Sequence, residues 1–497
     1  MSDAPIYLDH NATTPIDPRV VEAMARAWQD CGANPASQHG PGRRARRMLE
    51  EAREGLAELL GAKTGGMNAD RVIFTSGGTE ANNLAVLGLA PTLGDRVLTS
   101  GIEHPSILVT TRERRLISSP RFDPLEHHQE HAHPAVVARA GTEPHVSDNE
   151  QMLVTQMRDG NTAATVQFWQ RHHDGILHYV RKLVGCVEEA KHITTKAQVE
   201  MLLRSKREAP PTDVKAWLLA IVRDTVRQQA RLLILPTSAS GVINVERLGR
   251  SKIPFQLVSV MLANNETGVI QPIKVLAPLA RDAGSLIHTD AVQAVGKIPV
   301  HFRELGVDAM TVAPHKFHGP LGIGALLLRH GVNLEPQLVG GFQQEGLRPG
   351  TENVALAVGF HEALKIATAE LPERAARMQQ LRDELEQLIL AEAPDAVVIG
   401  KSAPRLPNTS CISFPGLDRQ ALVMALDLAG VACSTGSACA SGSSEPSPTL
   451  VAMGLPKDVI NGAIRLSLGA FTTTAEVAEA ARRIIKAAKH LRSQKSS

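Results

Sequence analysis

The chain has 497 residues, 43% of them hydrophobic, and its 53 Lys+Arg against 51 Asp+Glu leave a formal net charge of +2. That length exceeds one compact core and predicts two or three domains, while the near-balance of charge excludes a bulk electrostatic pull toward nucleic acid or membrane. No apolar run approaches the ~20 residues needed to span a bilayer, Met1-Ser2-Asp3-Ala4-Pro5 begins neither a signal nor a transit peptide, and the five scattered cysteines (Cys31, Cys186, Cys411, Cys433, Cys439) argue against a disulfide framework and for a cytoplasmic protein with at least one working thiol.

From residue 6 to about 117, strand-like and helix-like stretches alternate. Arg71-Val72-Ile73-Phe74 precedes the turn Ser76-Gly77-Gly78-Thr79-Glu80, which opens a helix near Ala81, and Arg96-Val97-Leu98-Thr99 precedes Glu103-His104. This is the βα rhythm of a doubly wound sheet. Residues 118–149, rich in Pro, His and charge, predict a flexible linker; a solvated linker is preferred to a metal site for its histidines. The pattern over 150–230 is helical, with Ile176, Val180, Leu183, Val184 and Val187 on one face, Val214, Trp217, Leu218, Ile221 and Thr225 on another, and Pro210-Pro211 breaking the helices apart.

The α/β rhythm resumes at Leu232-Leu233-Ile234-Leu235 and runs through Leu257-Val258-Ser259-Val260-Met261, Leu286-Ile287 and Met310-Thr311-Val312 to Ala325-Leu326-Leu327-Leu328. From about Thr368 a long amphipathic helix leads into a smaller α+β region. The organisation expected is a discontinuous large domain (16–117 and 231–367), a linker (118–149), an inserted helical domain (150–230), and a small domain (1–15 and 368–497) carrying a cysteine loop.

The chemistry gathers at predicted strand ends, where open α/β sheets bind ligands. Lys316 follows one buried strand and Asp290 another, and together they offer what pyridoxal phosphate requires: an amine for a Schiff base and an acid to keep the pyridine nitrogen protonated. The turn at 76–80, with Gly78 and Thr79, reads as a phosphate cradle at a helix N-terminus. His104 is placed to stack on a ring and assist proton transfer. Asn265 and Gln293 offer amides to a ring hydroxyl. Arg465, on an otherwise apolar strand, suits a substrate carboxylate. Cys439, in the Gly/Ser-rich run 433–447, reads as a nucleophile on a mobile loop, and Cys433, beside Val431-Ala432, as structural.

Tyr7-Leu8-Asp9, Ala12-Thr13-Thr14-Pro15, Asn34-Pro35-Ala36-Ser37, the turn from Ser76 to Glu80, Glu103-His104-Pro105, the run from Asn264 to Gly268, Asp290 with Gln293, His315-Lys316, Arg348-Pro349-Gly350-Thr351 and Gly436-Ser437-Ala438-Cys439 together resemble the bacterial NifS-like cysteine desulfurases, a group of class V aminotransferase-type enzymes. The resemblance covers about 5–117 and 232–490. It implies an α/β fold: a fold-type-I pyridoxal phosphate domain with a mostly parallel seven-stranded sheet, a smaller α+β C-terminal domain, and here an all-α insertion.

The same resemblance implies a sulfurtransferase that converts L-cysteine to L-alanine through a Cys439 persulfide. In it Lys316 forms the Schiff base, Asp290 meets the pyridine nitrogen, His104 stacks, Asn265 and Gln293 hold the ring hydroxyl, and Gly78, Thr79 and His315 hold the phosphate. Thr351 reaches the phosphate from the second subunit of a homodimer, and Arg465 and Asn34 bind substrate. The sulfur passes to an acceptor such as an iron-sulfur scaffold protein. No resident metal is implied beyond transient contact of an iron-sulfur cluster with Cys439. One departure stands at Ala313, where the family usually carries a phosphate-binding serine.

Within 150–230, Gly160-Asn161-Thr162-Ala163-Ala164, Phe168-Trp169, Val187-Glu188-Glu189-Ala190 and the stretch from Lys215 to Arg223 resemble region two of an extracytoplasmic-function sigma factor, a module that binds RNA polymerase and melted promoter DNA. Lys191-His192-Ile193-Thr194-Thr195 departs from that module's acidic continuation. Two other readings stand beside the desulfurase: a transcription-linked binding protein built on a desulfurase-like body, and a sister enzyme, either a selenocysteine lyase or an aminotransferase. Cys439 argues against a plain aminotransferase, which needs no thiol.

Overall fold

The computed structural model describes residues 5–91, 96–117, 148–184, 187–207, 213–229, 232–249, 255–436 and 445–496. The chain forms two compact units, Met1–Thr111 with Leu235–Ser497, and Arg112–Ile234. Its strands are β1 (Ile6–Tyr7), β2 (Arg71–Thr75), β3 (Val97–Ser100), β4 (Leu232–Leu235), β5 (Leu257–Ser259), β6 (Leu286–Asp290), β7 (Ala309–Val312), β8 (Gly324–Leu328), β9 (Val397–Ile399), β10 (Thr409–Ser413), β11 (Val431–Ala432) and β12 (Ala463–Ser467).

The chain has a seven-stranded sheet in the order β2-β8-β7-β6-β5-β3-β4, and its strands β2, β8, β7, β6, β5 and β3 organise the first unit. β3, β5, β6 and β7 are parallel neighbours, with Thr99 opposite Ser259, Ser259 opposite His288, and Asp290 opposite Thr311. They are short, apolar and buried almost throughout, as parallel strands covered on both faces are.

β8 runs antiparallel to both β7 and β2, which makes the sheet mixed. Residues 313–323 are too few for the helical crossover that a parallel return requires, so the chain doubles back. That short return carries Lys316. It also brings Gly324 under the glycine turn. A Cβ at Gly324 would fall 2.5 Å from the Gly77 carbonyl carbon, so only a glycine there lets the turn lie on β8.

The C-terminal part of this unit holds the antiparallel sheet β12-β10-β9 and the parallel pair β1-β11. Ile6 and Leu8 share its buried cluster with Leu385, Phe414, Leu466 and Ile484, so the N-terminal strand is packed among residues far along the chain. Each fully buried Leu or Phe in such a cluster contributes about 1.5–3 kcal/mol of hydrophobic stabilisation. The long helix expected from about Thr368 is Leu371–Glu392, and it is separated from the preceding helix, Val354–Ala369, by a break at Glu370. Pro372 is the reason: it has no N–H to give the carbonyl four residues back, and it fits only the first turn of a new helix.

In the second unit, helices Asp148–Arg158, Thr162–Val184, Val187–Arg207 and Val214–Gln229 enclose a core that includes Phe168, Val180, Ile193, Met201 and Ile221. Ala164, Phe168, Ile176, Val180 and Val184 recur at helical spacing on the buried face of the second helix. Val187 does not belong to that face. The helix ends before it, and Val187 opens the next helix with its side chain exposed. Pro210, Pro211 and residues 118–147 lie outside the described residues. Among the described residues no helix is long and apolar enough to cross a membrane.

Candidate active site

The C-terminal ends of the parallel strands face a cavity of about 290 Å³. Asp290 is the last residue of β6 and is buried. Its Oδ1 accepts from the Val292 N–H at 2.9 Å and its Oδ2 from Asn82 Nδ2 at 2.7 Å. Asn82, four residues beyond Gly78 and so on the same helix face, also donates to Ser106 Oγ at 2.9 Å, and Ser106 Oγ meets His104 Nδ1 at 2.7 Å. A carboxylate and an imidazole are thus joined through two uncharged side chains.

Burial lowers the pKa of His104, the charge of Lys316 adds to this, and Asp290 opposes it. The Ser106 N–H donates to His104 Nδ1 at 3.2 Å, which assigns the ring proton to Nε2.

Lys316 ends the short turn Pro314–Lys316 after β7. Its Nζ donates to the Asn11 and Ala12 carbonyls, both at 2.6 Å. The N-terminal segment clamps this turn: the Thr14 N–H donates to the His315 carbonyl at 2.9 Å, and the His318 N–H donates to Thr14 Oγ1 at 2.7 Å. Burial, followed by the charges of Lys316 and Lys297, holds His315 neutral with a pKa of about 4.

Arg465 is fully buried on β12. Its guanidinium pairs with Asp9 at 2.6 Å and donates to the carbonyls of Gly436 at 2.9 Å and Asn265 at 3.1 Å. Among the described residues its Nε–H has no acceptor. The fork expected to meet a substrate carboxylate therefore already carries an internal acid.

Pyridoxal phosphate fits this donor set. The amine of Lys316 and the acid of Asp290 line one cavity. The backbone at 77–78 opens a helix, Gly78–Leu89, whose free N–H groups suit a phosphate. A Cβ added at Gly78 would meet Val292 Cγ2 at 3.0 Å, so the glycine keeps the turn close to the strand ends. Ala313 is fully buried, with its methyl 3.5 Å from that same Cβ position. The cradle therefore has a methyl where the resemblance implies a hydroxyl.

The sequence profile of the class-V aminotransferases matches residues 6–126 and 196–479. An IscS-like cysteine desulfurase of Mycobacterium tuberculosis is 36% identical over 475 residues, 95% of this chain and 93% of that protein. A cysteine desulfurase of Cereibacter sphaeroides is 34% identical, over 95% of this chain and 92% of that one. The chain belongs to the cysteine desulfurases of the class-V aminotransferase family. Among solved structures, a NifS-like protein superposes with a TM-score of 0.68 at 27% identity, covering 98% of this chain and 100% of that one.

Of the residues the sequence singles out in this desulfurase, Gly78, Thr79, His104, Asn265, Asp290, Gln293, His315, Lys316 and Arg465 line the one cavity. Thr351 and Asn34 do not. Both are exposed, and Asn34 Oδ1 accepts from the Ala36 N–H at 2.8 Å. Cys439 lies outside the described residues. Burial pushes the Cys433 thiol up to about 12, which suits a structural role.

Sequence reasoning missed Asn11, Asn82, Glu103 and Lys297. Asn82 was within reach, since it sits one helical turn beyond the cradle. Asn11 adjoins the Ala12-Thr13-Thr14-Pro15 motif. Neither the burial of Glu103 nor that of Lys297 has a local signature in the chain.

Glu103 is buried, accepting from Met261 N–H at 2.9 Å and from Ser100 Oγ. Burial, with the charge of Asp290 also acting to raise it, lifts its pKa from 4.5 to about 8. The folded state therefore keeps a proton that the unfolded chain releases, so the stabilisation is full below the unfolded value and fades as pH rises through the folded one. In the cofactor-free protein, urea unfolding at pH 5 and pH 8 is expected to show a loss on the order of a few kcal/mol that Glu103→Gln lacks. Parallel pH profiles for the two proteins would refute the assignment.

Proposed function

We propose that the chain is a pyridoxal-phosphate-dependent cysteine desulfurase, converting L-cysteine to L-alanine and taking the sulfur as a persulfide on Cys439. The observation that carries this reading is the meeting of Lys316 and Asp290, delivered by neighbouring parallel strands, in one cavity of a chain 36% identical to an IscS-like cysteine desulfurase. Bound there, pyridoxal phosphate supplies the electron sink for the carbon that bears the substrate amine.

The remaining roles fall to the protein. Asp290, fixed by Asn82 and Val292, presents a carboxylate to the ring nitrogen. Gly78 and Thr79 give the helix N-terminus, and His315 a neutral imidazole, to the phosphate. Asn265 and Gln293 address the ring hydroxyl. Lys316 takes the proton from the substrate Cα, and His104, with its proton on Nε2, lies along the cavity wall to assist. Arg465, already balanced by Asp9, offers its Nε–H to the substrate carboxylate, with Asn34 as a second contact. The Cys439 thiolate attacks the substrate sulfur, the carbon–sulfur bond breaks, and reprotonated alanine leaves while the sulfur stays on the enzyme. Its next stop is an acceptor protein such as an iron-sulfur scaffold, in the cytoplasm.

A second copy of the chain is the proposed cover for the exposed Leu338, Val339 and Phe342, and Thr351 is proposed to reach that copy's phosphate. The expected domain division (large domain 16–117 and 231–367, small domain 1–15 and 368–497) is part of the same proposal. The helical region 150–230 is read as a partner-docking or vestigial module similar to region two of a sigma factor. Its own buried core supports a unit that folds without the enzyme body, and 13 Lys+Arg against 10 Asp+Glu across 148–231 argues against tight phosphate-driven DNA binding.

Alanine release from L-cysteine, compared between the full chain and one lacking residues 118–230, tests both parts. Turnover within about twofold in the two proteins is the expected result. Binding of DNA or polymerase without alanine release would favour the transcription-linked reading, and loss of turnover in soluble shortened protein would contradict an independent insertion.

A further inference from the structure

Lys297 is a second lysine, buried against two residues of the cavity wall, Asn11 and Gln293, and outside the roles assigned above. Its Nζ donates to Gln293 Oε1 at 2.8 Å and to Asn11 Oδ1 at 3.1 Å, and among the described residues no carboxylate forms an ion pair with it. Both neighbours are amide oxygens, and in each case the rest of the amide is pinned. Asn11 Nδ2 donates to Thr409 Oγ1 at 2.9 Å and to the Asn265 carbonyl at 3.2 Å, so its oxygen must face Lys297. Gln293 Nε2 donates to the Asn11 carbonyl at 3.0 Å, the carbonyl that Lys316 Nζ also uses at 2.6 Å. A flipped Gln293 would set its oxygen against the Asn11 carbonyl, losing that bond, and its amino group against the Lys297 amine, which then could no longer donate to it.

Resting on the cofactor reading above, we propose that Lys297 is a positioning residue that locks the Gln293 amide with its oxygen turned inward, so that the side chain offers the cavity a donor and not an acceptor. An anionic ring-hydroxyl oxygen needs such a donor. Asn11 ties the two lysines together: its side chain takes Lys297 and its carbonyl takes Lys316. When Lys316 is engaged elsewhere, the Lys297 contact still holds the amide. Burial, followed by the charges of Lys316 and Arg465, drives the Lys297 amine well below its ordinary pKa. Even uncharged, the amine keeps two N–H groups for its two oxygen neighbours.

The test is equilibrium dialysis of pyridoxal phosphate against the full chain, its Lys297→Met variant, Gln293→Ala, and the double variant, with the absorption spectrum of the bound cofactor recorded for each. Lys297→Met is expected to weaken binding about tenfold, as loss of a hydrogen bond to a charged group does, and to displace the cofactor's visible band, with the KM for L-cysteine changed less than about threefold. In the Gln293→Ala background the same change should add less than about twofold, since neighbours acting through one another are not additive.

Should Lys297→Met fail to fold, Lys297→Leu carries the same expectation. Parental affinity and an unmoved band in a folded Lys297 variant would overturn the proposal, as would full additivity in the double variant. The parent tests the earlier reading separately: no binding there removes both, whereas binding there with an unaffected variant removes only the role of Lys297.

Discussion

Replacing Lys316 by alanine is expected to lower kcat for alanine formation by on the order of 10³-fold or more, the scale seen when a covalent-chemistry residue is removed from an enzyme. The fold should survive the change. Lys316 Nζ gives its hydrogen bonds to the Asn11 and Ala12 carbonyls at 2.6 Å, and Asn11 keeps a second donor in Gln293 Nε2 at 3.0 Å. The stability cost should therefore stay near that of an ordinary buried hydrogen bond, about 1 kcal/mol. A thermal melt beside the alanine assay separates the two effects. Retained turnover in the folded variant would contradict the assignment of Lys316.

The second large effect is expected at Cys439. Cys439→Ser should lower alanine formation from L-cysteine by about 10³-fold, because a serine hydroxyl is far less acidic and less nucleophilic toward sulfur than a thiol. Cofactor binding should be unchanged, which distinguishes this variant from Lys316→Ala. The thiols of the described residues in the small region offer no substitute: burial pushes Cys411 well above its ordinary pKa and Cys433 to about 12. A plain aminotransferase, with no need of a thiol, would release no alanine from L-cysteine in either protein and would pass the amino group to a keto acid equally well in parent and Cys439→Ser. The assay therefore decides between that reading and a desulfurase.

Much of the cavity was legible in the chain because its polar residues sit where short apolar runs end. Asp290 closes β6, Lys316 follows β7, and Gly78 follows β2, so strand periodicity and turn chemistry place each of them without tertiary knowledge. The helical insert was readable through its apolar spacing at 176, 180 and 184, while the buried positions 164 and 168 extend that face further toward the N-terminus than the sequence reading took it.

What escaped has physical causes. The reversal of β8 depends on the length of a connection, which weighs little beside a continuous apolar run. Asn11 works through its carbonyl and its amide together, and a backbone contact leaves no residue-type signature. Lys297 and Glu103 are charged residue types, which normally predict a surface, yet both are buried, Glu103 in the cavity wall and Lys297 against the wall residues Asn11 and Gln293, and only the packing of distant segments reveals it. Arg465 was found, but its pairing with Asp9 joins residues that are 456 positions apart.

The most direct test of the central claim is reduction of the cofactor-loaded protein with borohydride, followed by digestion and mass spectrometry. The account predicts a pyridoxyl adduct on the peptide containing Lys316 and none on the peptide containing Lys297. An adduct at Lys297, or no adduct at all on a protein that binds the cofactor, would contradict it.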